Sequence, residues 1–202
     1  MILSKHFVFI HFPKTGGSFV RAVCQKYAPA DWGVQMIDEH PTIRDIPNVY
    51  QSLPKFGFVR NPYSWYVSGY SYLRKRADNK AFNQISNHGV KNFKSTILAI
   101  LNLDMECFEQ GGIGGYSWHV KNLFGDDLQA LRIGKFEELR HELLRIMNSV
   151  VMLPESFVKA VQTYPAVNVS QHDHYRTYYD DELREIIAEK DRWIFEQFGY
   201  EF

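Results

Sequence analysis

Apolar runs and amphipathic stretches alternate along this chain, and the alternation predicts strands followed by helices. Phe7 to Phe12 is almost continuously aromatic or β-branched, which is typical of a strand buried on both faces of a parallel sheet. Segments 56–60 and 130–136 have the same character and predict two further strands. Apolar residues recur at helical spacing from Gly17 to about Tyr27, so a helix is expected soon after the first strand.

Further helices are predicted over 62–76, 93–103 and 137–148, with a final helix that begins after Asp180 and Asp181. Strands that alternate with helices in this way predict an α/β fold. We expect a central parallel sheet flanked by helices, in a single domain over 1–202.

Two segments of the chain predict little regular structure. Residues 28–54 contain four prolines and are predicted to be mostly loop. Residues 77–92 are polar and are predicted to form a surface loop or a frayed helix.

Composition gives no support for nucleic acid or membrane as a partner. Lysine and arginine number 23, as do aspartate and glutamate, so the formal net charge is zero. A chain without overall positive charge gives no support for binding to nucleic acid. No apolar run approaches the length of a membrane-spanning helix, so we also expect no stable membrane insertion. The two cysteines, Cys24 and Cys107, fit no metal-binding spacing and are expected to be reduced, which favours a cytoplasmic location.

The segment Pro13-Lys14-Thr15-Gly16-Gly17-Ser18 joins the first predicted strand to the first predicted helix. Backbone N–H groups at a helix start lack intrahelical acceptors, and the helix dipole adds positive potential there, so such a loop can bind phosphate or sulfate. The glycines let the main chain approach an anion closely, and the lysine supplies a mobile positive charge. The loop differs from a Walker A motif, in which the lysine follows the glycines.

A second segment with anion-binding residues begins at Arg60, which follows the second predicted strand and precedes Asn61-Pro62, a typical helix start. Ligands of open α/β sheets bind at this edge, where a guanidinium can hold a phosphate through two hydrogen bonds. Ser68 lies two turns into the same predicted helix and can offer its hydroxyl to that phosphate. Alternatively, Arg60 pairs with a nearby carboxylate and Ser68 has no binding role. Both segments together favour a ligand with two separated anionic groups.

These two segments resemble the nucleotide-binding motifs of sulfotransferases that use 3′-phosphoadenosine 5′-phosphosulfate (PAPS). Residues 13–18 are similar to the family's 5′-phosphosulfate-binding loop, and Arg60-Asn61-Pro62 with Ser68 is similar to its 3′-phosphate-binding motif. Three carboxyl-terminal segments resemble the pattern of the carbohydrate-type branch: 168–170, 178–183 and 198–200. The resemblance implies a sulfotransferase fold like that of P-loop NTPases.

The resemblance also implies roles for individual residues. The 5′-phosphosulfate would be held by the Lys14 ammonium and by the successive backbone N–H groups of Thr15, Gly16, Gly17 and Ser18. Arg60 and Ser68 would hold the 3′-phosphate, which the product PAP retains. Sulfuryl transfer is an in-line displacement, and a lysine beside a helix N-terminus stabilises the negative charge that develops on the leaving oxygen. The family pattern requires no metal ion, and no acidic motif for Mg²⁺ is obvious in the sequence.

The attacking hydroxyl needs a general base, for which His40 is the first candidate. It falls between the two motifs, where the carbohydrate-type branch often carries a histidine, and a histidine with an ordinary pKa accepts a proton near neutral pH. Glu39, Asp38 and His11 stay open as alternative bases, although His11 can instead be a strand-end residue that only shapes the loop. The isolated pair His172 and His174 is a weak metal signal, so no metal site is predicted.

Together these features predict an enzyme that transfers a sulfuryl group from PAPS to a hydroxyl. The resemblance alone favours a carbohydrate or glycan-like acceptor, so the expected partner is a small molecule or a glycan. Residues 77–118 are expected to shape acceptor choice. A glycine run and the aromatic residues that follow it either line the acceptor site or pack in the core. These are Gly111–Gly115, Tyr116, Trp118 and His119.

Two other functions stay open. A P-loop nucleotide kinase or NTPase would need a lysine after the glycines and an acidic Mg²⁺ ligand. A non-catalytic nucleotide-binding domain would keep the anion-binding residues and lack a general base.

Overall fold

The computed structural model describes residues 1–37, 40–76, 78–102, 114–169 and 171–202. The strands in these residues form one sheet: β1 (Ile2–Leu3), β2 (Val8–Phe9), β3 (Gln35–Met36), β4 (Lys55–Val59) and β5 (Arg132–Lys135). The α-helices in these residues are α1 (Gly17–Tyr27), α2 (Pro62–Leu73), α3 (Lys80–Ile85), α4 (Phe93–Leu101), α5 (Tyr116–Phe124), α6 (Leu139–Asn148), α7 (Glu155–Thr163), α8 (Asp181–Lys190) and α9 (Arg192–Phe198).

The sheet is mixed, with the strand order β3-β1-β2-β4-β5. β2, β4 and β5 run parallel, whereas β1 pairs antiparallel with both β2 and β3. The predicted α/β fold with flanking helices is confirmed, and the sheet is mixed where a parallel sheet was predicted. The reason is a tight turn after β1, in which the Ser4 N–H donates to the Phe7 carbonyl at 3.0 Å and the chain returns as β2. β1 is thus an antiparallel strand that lies between β3 and the parallel strands β2, β4 and β5.

The chain folds as two compact units, Met1–Arg60 with Val120–Val169 and Asn61–His119 with Ser170–Phe202. The single domain predicted over 1–202 stays a prediction.

Helices cover both faces of the sheet in the first unit. Phe56 and Phe58 point to one face, where they pack in a core with apolar residues of α1, α6 and α7. Gly57 lies between them and faces the other side, because side chains alternate along a strand. A Cβ atom on Gly57 would lie 2.4 Å from the ring of Phe124, so this glycine makes room for the end of α5.

The second unit is helical and is held by aromatic contacts and capped helix ends. Asn61 caps α2 by accepting a hydrogen bond from the Tyr63 N–H at 3.0 Å. The Tyr63 ring lies 5.2 Å from that of Tyr179 and 4.9 Å from that of Phe202, measured between centroids. Asp180 caps α8 through the Leu183 N–H, as the acidic pair before the last predicted helix indicates.

Several predicted helices differ from the observed ones. The stretch predicted as loop or frayed helix contains α3, and α5 and α7 were not predicted. The single last helix is two helices, because α8 ends at Lys190 and α9 begins at Arg192, with buried Asp191 between them. In the part of the chain that the structure describes, no helix is long and apolar enough to cross a bilayer.

Candidate functional site

The segment after β2 forms a turn that leads into α1, and buried side chains hold it in place. Phe12 is fully buried, with its ring centroid 5.6 Å from that of Phe124. Thr15 is also buried, and its hydroxyl donates a hydrogen bond of 2.8 Å to the Phe12 carbonyl. The loop is therefore tied back to the end of its own strand.

Both glycines of the loop are required by their surroundings. Gly16 has a φ of 81°, a left-handed conformation that glycine adopts without steric cost, and a Cβ atom there would lie 2.4 Å from the Leu139 side chain. A Cβ atom on Gly17 would lie 1.8 Å from the His11 ring. Any side chain at position 17 would displace that ring, so the loop and the strand-end histidine fit each other only with glycine.

The N-terminus of α1 has the character of an anion-binding site. The N–H groups of Phe19 and Val20 donate to the Gly16 carbonyl, so those of Gly17 and Ser18 belong to the first turn, which lacks intrahelical acceptors. Among the described residues, no side chain caps this helix, and its first turn carries no acidic residue. The positive end of the helix dipole is thus left for another negative group.

Lys14 and Arg60 bring two cationic side chains to this end of the sheet. The Arg60 guanidinium donates through Nη1 to the Lys14 carbonyl at 3.2 Å, and it lies over the Phe136 ring with 4.4 Å to the centroid. Burial, and then the charge of Arg60, lower the pKa of Lys14 to about 8. Two cations held this close, one of them partly desolvated, favour the binding of an anion between or beside them.

His11 and His40 form a pair beside the loop. The Nδ1 of His40 lies 3.0 Å from the His11 carbonyl, and the two rings meet edge to face at 4.7 Å between centroids. A carbonyl only accepts, so Nδ1 of His40 is the protonated nitrogen, and in the neutral ring Nε2 carries the lone pair. Burial, and then the charge of His40, lower the pKa of His11 to about 3, which makes the His11 ring a weak base.

The structure thus gathers most of the predicted site residues in the first unit. These are Lys14, Thr15, Gly16, Gly17, Ser18 and Arg60, together with His40 through its bond to His11. Ser68 lies on α2 in the second unit, where it is 3% exposed. Asp38 and Glu39, the acidic alternatives for the base, lie outside the described residues, as does Cys107.

Sequence reasoning missed two contacts of this site. One is the Phe136 ring under Arg60, and the other is a hydrogen bond of 3.0 Å from Asn168 Nδ2 to Ser18 Oγ. Phe136 directly follows β5, the third parallel strand. Its position at the end of that strand could have indicated that it lies near Arg60, which follows β4. Asn168 stands 150 residues from its partner, and no local pattern connects the two.

The residues proposed to line an acceptor site pack largely within the second unit. Tyr116 is fully buried and His119 is 7% exposed. The His119 ring lies 5.5 Å from the Trp65 ring between centroids. For Tyr116 and His119, packing in the core is therefore the better interpretation. Residues 111–113 of the preceding glycine run lie outside the described residues.

One group of side chains in the first unit has the composition of a metal site. One ligand atom each of Glu138, His141 and Glu142 lies within 4.8 Å of the others at the start of α6. Glu138 and His141 are exposed, and the Glu142 carboxylate is bound by Arg145 through two hydrogen bonds of 3.0 and 2.8 Å. Because an arginine already neutralises Glu142, this group gives no argument for a metal.

Comparison with known proteins assigns no family to this chain, so a function must be inferred from the residues of the site. A scan against models of protein families matched none, and a search of curated proteins returned no match.

Proposed function

We propose that this protein is a PAPS-dependent sulfotransferase, which transfers a sulfuryl group from PAPS to an acceptor hydroxyl. The observation that carries the proposal is the convergence of Lys14 and Arg60 beside the start of α1, which no side chain of the described residues caps. Arg60 Nη1 lies 3.2 Å from the Lys14 carbonyl. The two residues follow two adjacent parallel strands, β2 and β4. A nucleotide with anionic groups at both its 5′ and 3′ positions matches two cations that come from neighbouring strand ends.

In this proposal each anionic group of PAPS has its own binding residues. The 5′-phosphosulfate is bound by Lys14 and by the backbone N–H groups of Thr15, Gly16, Gly17 and Ser18. Arg60 binds the 3′-phosphate through its guanidinium. The three parallel strands and the glycine loop after β2 are compatible with the P-loop-like sulfotransferase fold, which is part of the proposal.

The reaction we propose uses His40 as general base. Its Nδ1–H is held by the His11 carbonyl, so Nε2 accepts the proton of the acceptor hydroxyl. The acceptor oxygen forms a bond to sulfur while the bond from sulfur to the bridging oxygen breaks. Lys14 and the helix N-terminus stabilise the electron pair that this oxygen retains as part of PAP.

The neighbouring His11 has a different role in the proposal. Its pKa of about 3 leaves it neutral, and its ring packs against the loop at Gly17. We therefore propose that it shapes the loop and orients His40.

We also propose a carbohydrate or glycan-like acceptor and a cytoplasmic location. The acceptor class rests on the resemblance of segments 168–170, 178–183 and 198–200 to the carbohydrate-type branch. The proposed location rests on the interpretation of Cys24 and Cys107 as reduced, structural cysteines. Cys24 suits that interpretation, because it is buried and burial raises the pKa of its thiol to about 12.

Calorimetric titration with PAP, AMP and ATP tests the proposal. PAP should bind at least about tenfold more tightly than AMP, because only PAP offers a 3′-phosphate to the Arg60 guanidinium. Arg60→Ala should weaken binding of PAP and leave binding of AMP nearly unchanged, so that the preference disappears. Equal affinity of the wild-type protein for PAP and AMP, or tighter binding of ATP than of PAP, would refute the proposed nucleotide.

A further inference from the structure

A hydrogen bond connects the end of the first unit's chain to the anion-binding loop. The side-chain amide of Asn168 donates from Nδ2 to Ser18 Oγ at 3.0 Å. Ser18 is the second residue of α1, and Asn168 lies beyond the end of α7. The contact joins residues 150 positions apart, and it reaches the loop from outside the strand and helix that form it.

The backbone at Asn168 presents this amide in an uncommon conformation. Its φ is 54°, in the left-handed region that asparagine tolerates better than most residues with a side chain. Glycine adopts the same backbone conformation at least as easily. Asn168→Gly is therefore a variant that removes the amide and keeps the turn of the chain.

The direction of this hydrogen bond determines what the Ser18 hydroxyl can do. A serine hydroxyl has one proton to donate and two lone pairs that accept. Because Asn168 donates to one lone pair, the Ser18 proton is directed to a different acceptor. In the first turn of α1, where the proposed 5′ anionic group binds, a ligand oxygen is the acceptor that such a proton suits.

We propose that Asn168 is a positioning residue that turns the Ser18 hydroxyl toward the 5′ anionic group of the nucleotide. Asn168 does not itself touch the nucleotide in this proposal, which rests on the proposed function. Ser18 thereby adds a side-chain donor to the backbone donors of the loop. A hydrogen bond to a charged group is about twice as strong as one between neutral groups, so its loss is measurable.

Binding of PAP and of adenosine 3′-phosphate, which lacks the 5′ group, tests the inference in the 202-residue chain. Asn168→Gly should lower PAP affinity about tenfold and change adenosine 3′-phosphate affinity less than about twofold, because the lost hydrogen bond serves only the 5′ group. Asn168→Asp should lower PAP affinity at least as much, because its carboxylate can only accept and takes the Ser18 proton away from the ligand.

A double-mutant cycle with Ser18→Ala distinguishes positioning through Ser18 from a general structural role. In the Ser18→Ala background, Asn168→Gly should change PAP affinity less than about twofold. A tenfold loss in that background would overturn the inference, as would wild-type affinity in Asn168→Gly or Asn168→Asp. Retained binding of adenosine 3′-phosphate shows that each variant is folded.

The wild-type titration separates this inference from the proposed function. If the wild-type protein binds no PAP, the proposed function fails. If it binds PAP and Asn168→Gly binds PAP as tightly, only the role of Asn168 fails.

Discussion

Lys14 holds a backbone conformation that few residues other than glycine adopt. Its φ is 63°, and its carbonyl accepts the hydrogen bond from Arg60. Such a conformation costs about 1–3 kcal/mol and persists only where the surroundings impose it, often at a functional site. Thr15, buried and bonded to the Phe12 carbonyl, is the neighbour that holds the turn in place.

The lowered pKa of Lys14 predicts that PAP affinity falls as pH rises through about 8. Below this value the ammonium is charged and binds the anion. Above it, the free protein must first bind a proton, so affinity should drop about tenfold between pH 7 and pH 9. The PAP phosphates have a second pKa of about 6, so they are largely ionised over this range and contribute little to the change. Calorimetric Kd values at pH 7, 8 and 9 check this prediction.

Two variants control the experiment on Lys14. Lys14→Arg keeps its charge at all three pH values and should flatten the pH dependence. Lys159→Ala removes an exposed lysine of α7 and should behave as the wild type does. A wild-type Kd that is independent of pH would contradict the assigned role.

Lys14→Ala should also lower turnover by about 10²–10³-fold, since it removes charge stabilisation at the leaving oxygen.

His40 should be required for transfer and dispensable for nucleotide binding. His40→Asn keeps a side-chain N–H that can donate to the His11 carbonyl but has no basic nitrogen, so turnover should fall about 10²–10⁴-fold. PAP affinity should stay within about twofold of the wild type, as calorimetry can show. Full turnover in this variant would transfer the role of base to Asp38 or Glu39, because the lowered pKa of His11 makes that ring a weak base.

At the scale of elements, a buried polar cluster joins three helical segments of the second unit. The Tyr66 hydroxyl on α2 donates to Asp191 Oδ2 at 2.9 Å and accepts from the Tyr116 N–H at 2.8 Å. Asp191 Oδ1 accepts from the Ser117 N–H and hydroxyl, which start α5. Burial raises the pKa of Asp191, and these hydrogen bonds oppose the rise. The junction of α8 and α9 is therefore bonded to both other helices.

Tyr66→Phe should lower the free energy of unfolding by about 2–3 kcal/mol, because it removes two buried hydrogen bonds of the Tyr66 hydroxyl, one to Asp191 and one from the Tyr116 N–H. Tyr70→Phe on the same helix is the matched control. Its hydroxyl makes a bond of 3.4 Å to the Lys91 carbonyl, so its loss should cost less than about 1 kcal/mol. Urea denaturation of both variants measures the difference. Equal effects would show that the buried cluster contributes no more than one long hydrogen bond.

At the scale of the whole molecule, local patterns predicted the elements that carry the site. α1 spans Gly17–Tyr27 as its spacing predicts, and the Asn61-Pro62 start of α2 and the strand at 55–59 also match. Each of these signals lies within about ten residues of the element it predicts, as helical periodicity and capping do. Elements without such signals, including β1, α5 and α7, were missed.

The sequence by itself therefore determined the strand, glycine loop and helix that form the anion-binding end of the sheet. Tertiary structure alone decided that β1 runs antiparallel between β3 and β2, that Arg60 bonds to the Lys14 carbonyl, and that His40 bonds to the His11 carbonyl. The physical reason is the sequence separation over which each kind of interaction acts. Periodicity and turn chemistry act between near neighbours, whereas these contacts join segments that meet only after the sheet has formed and the core has packed.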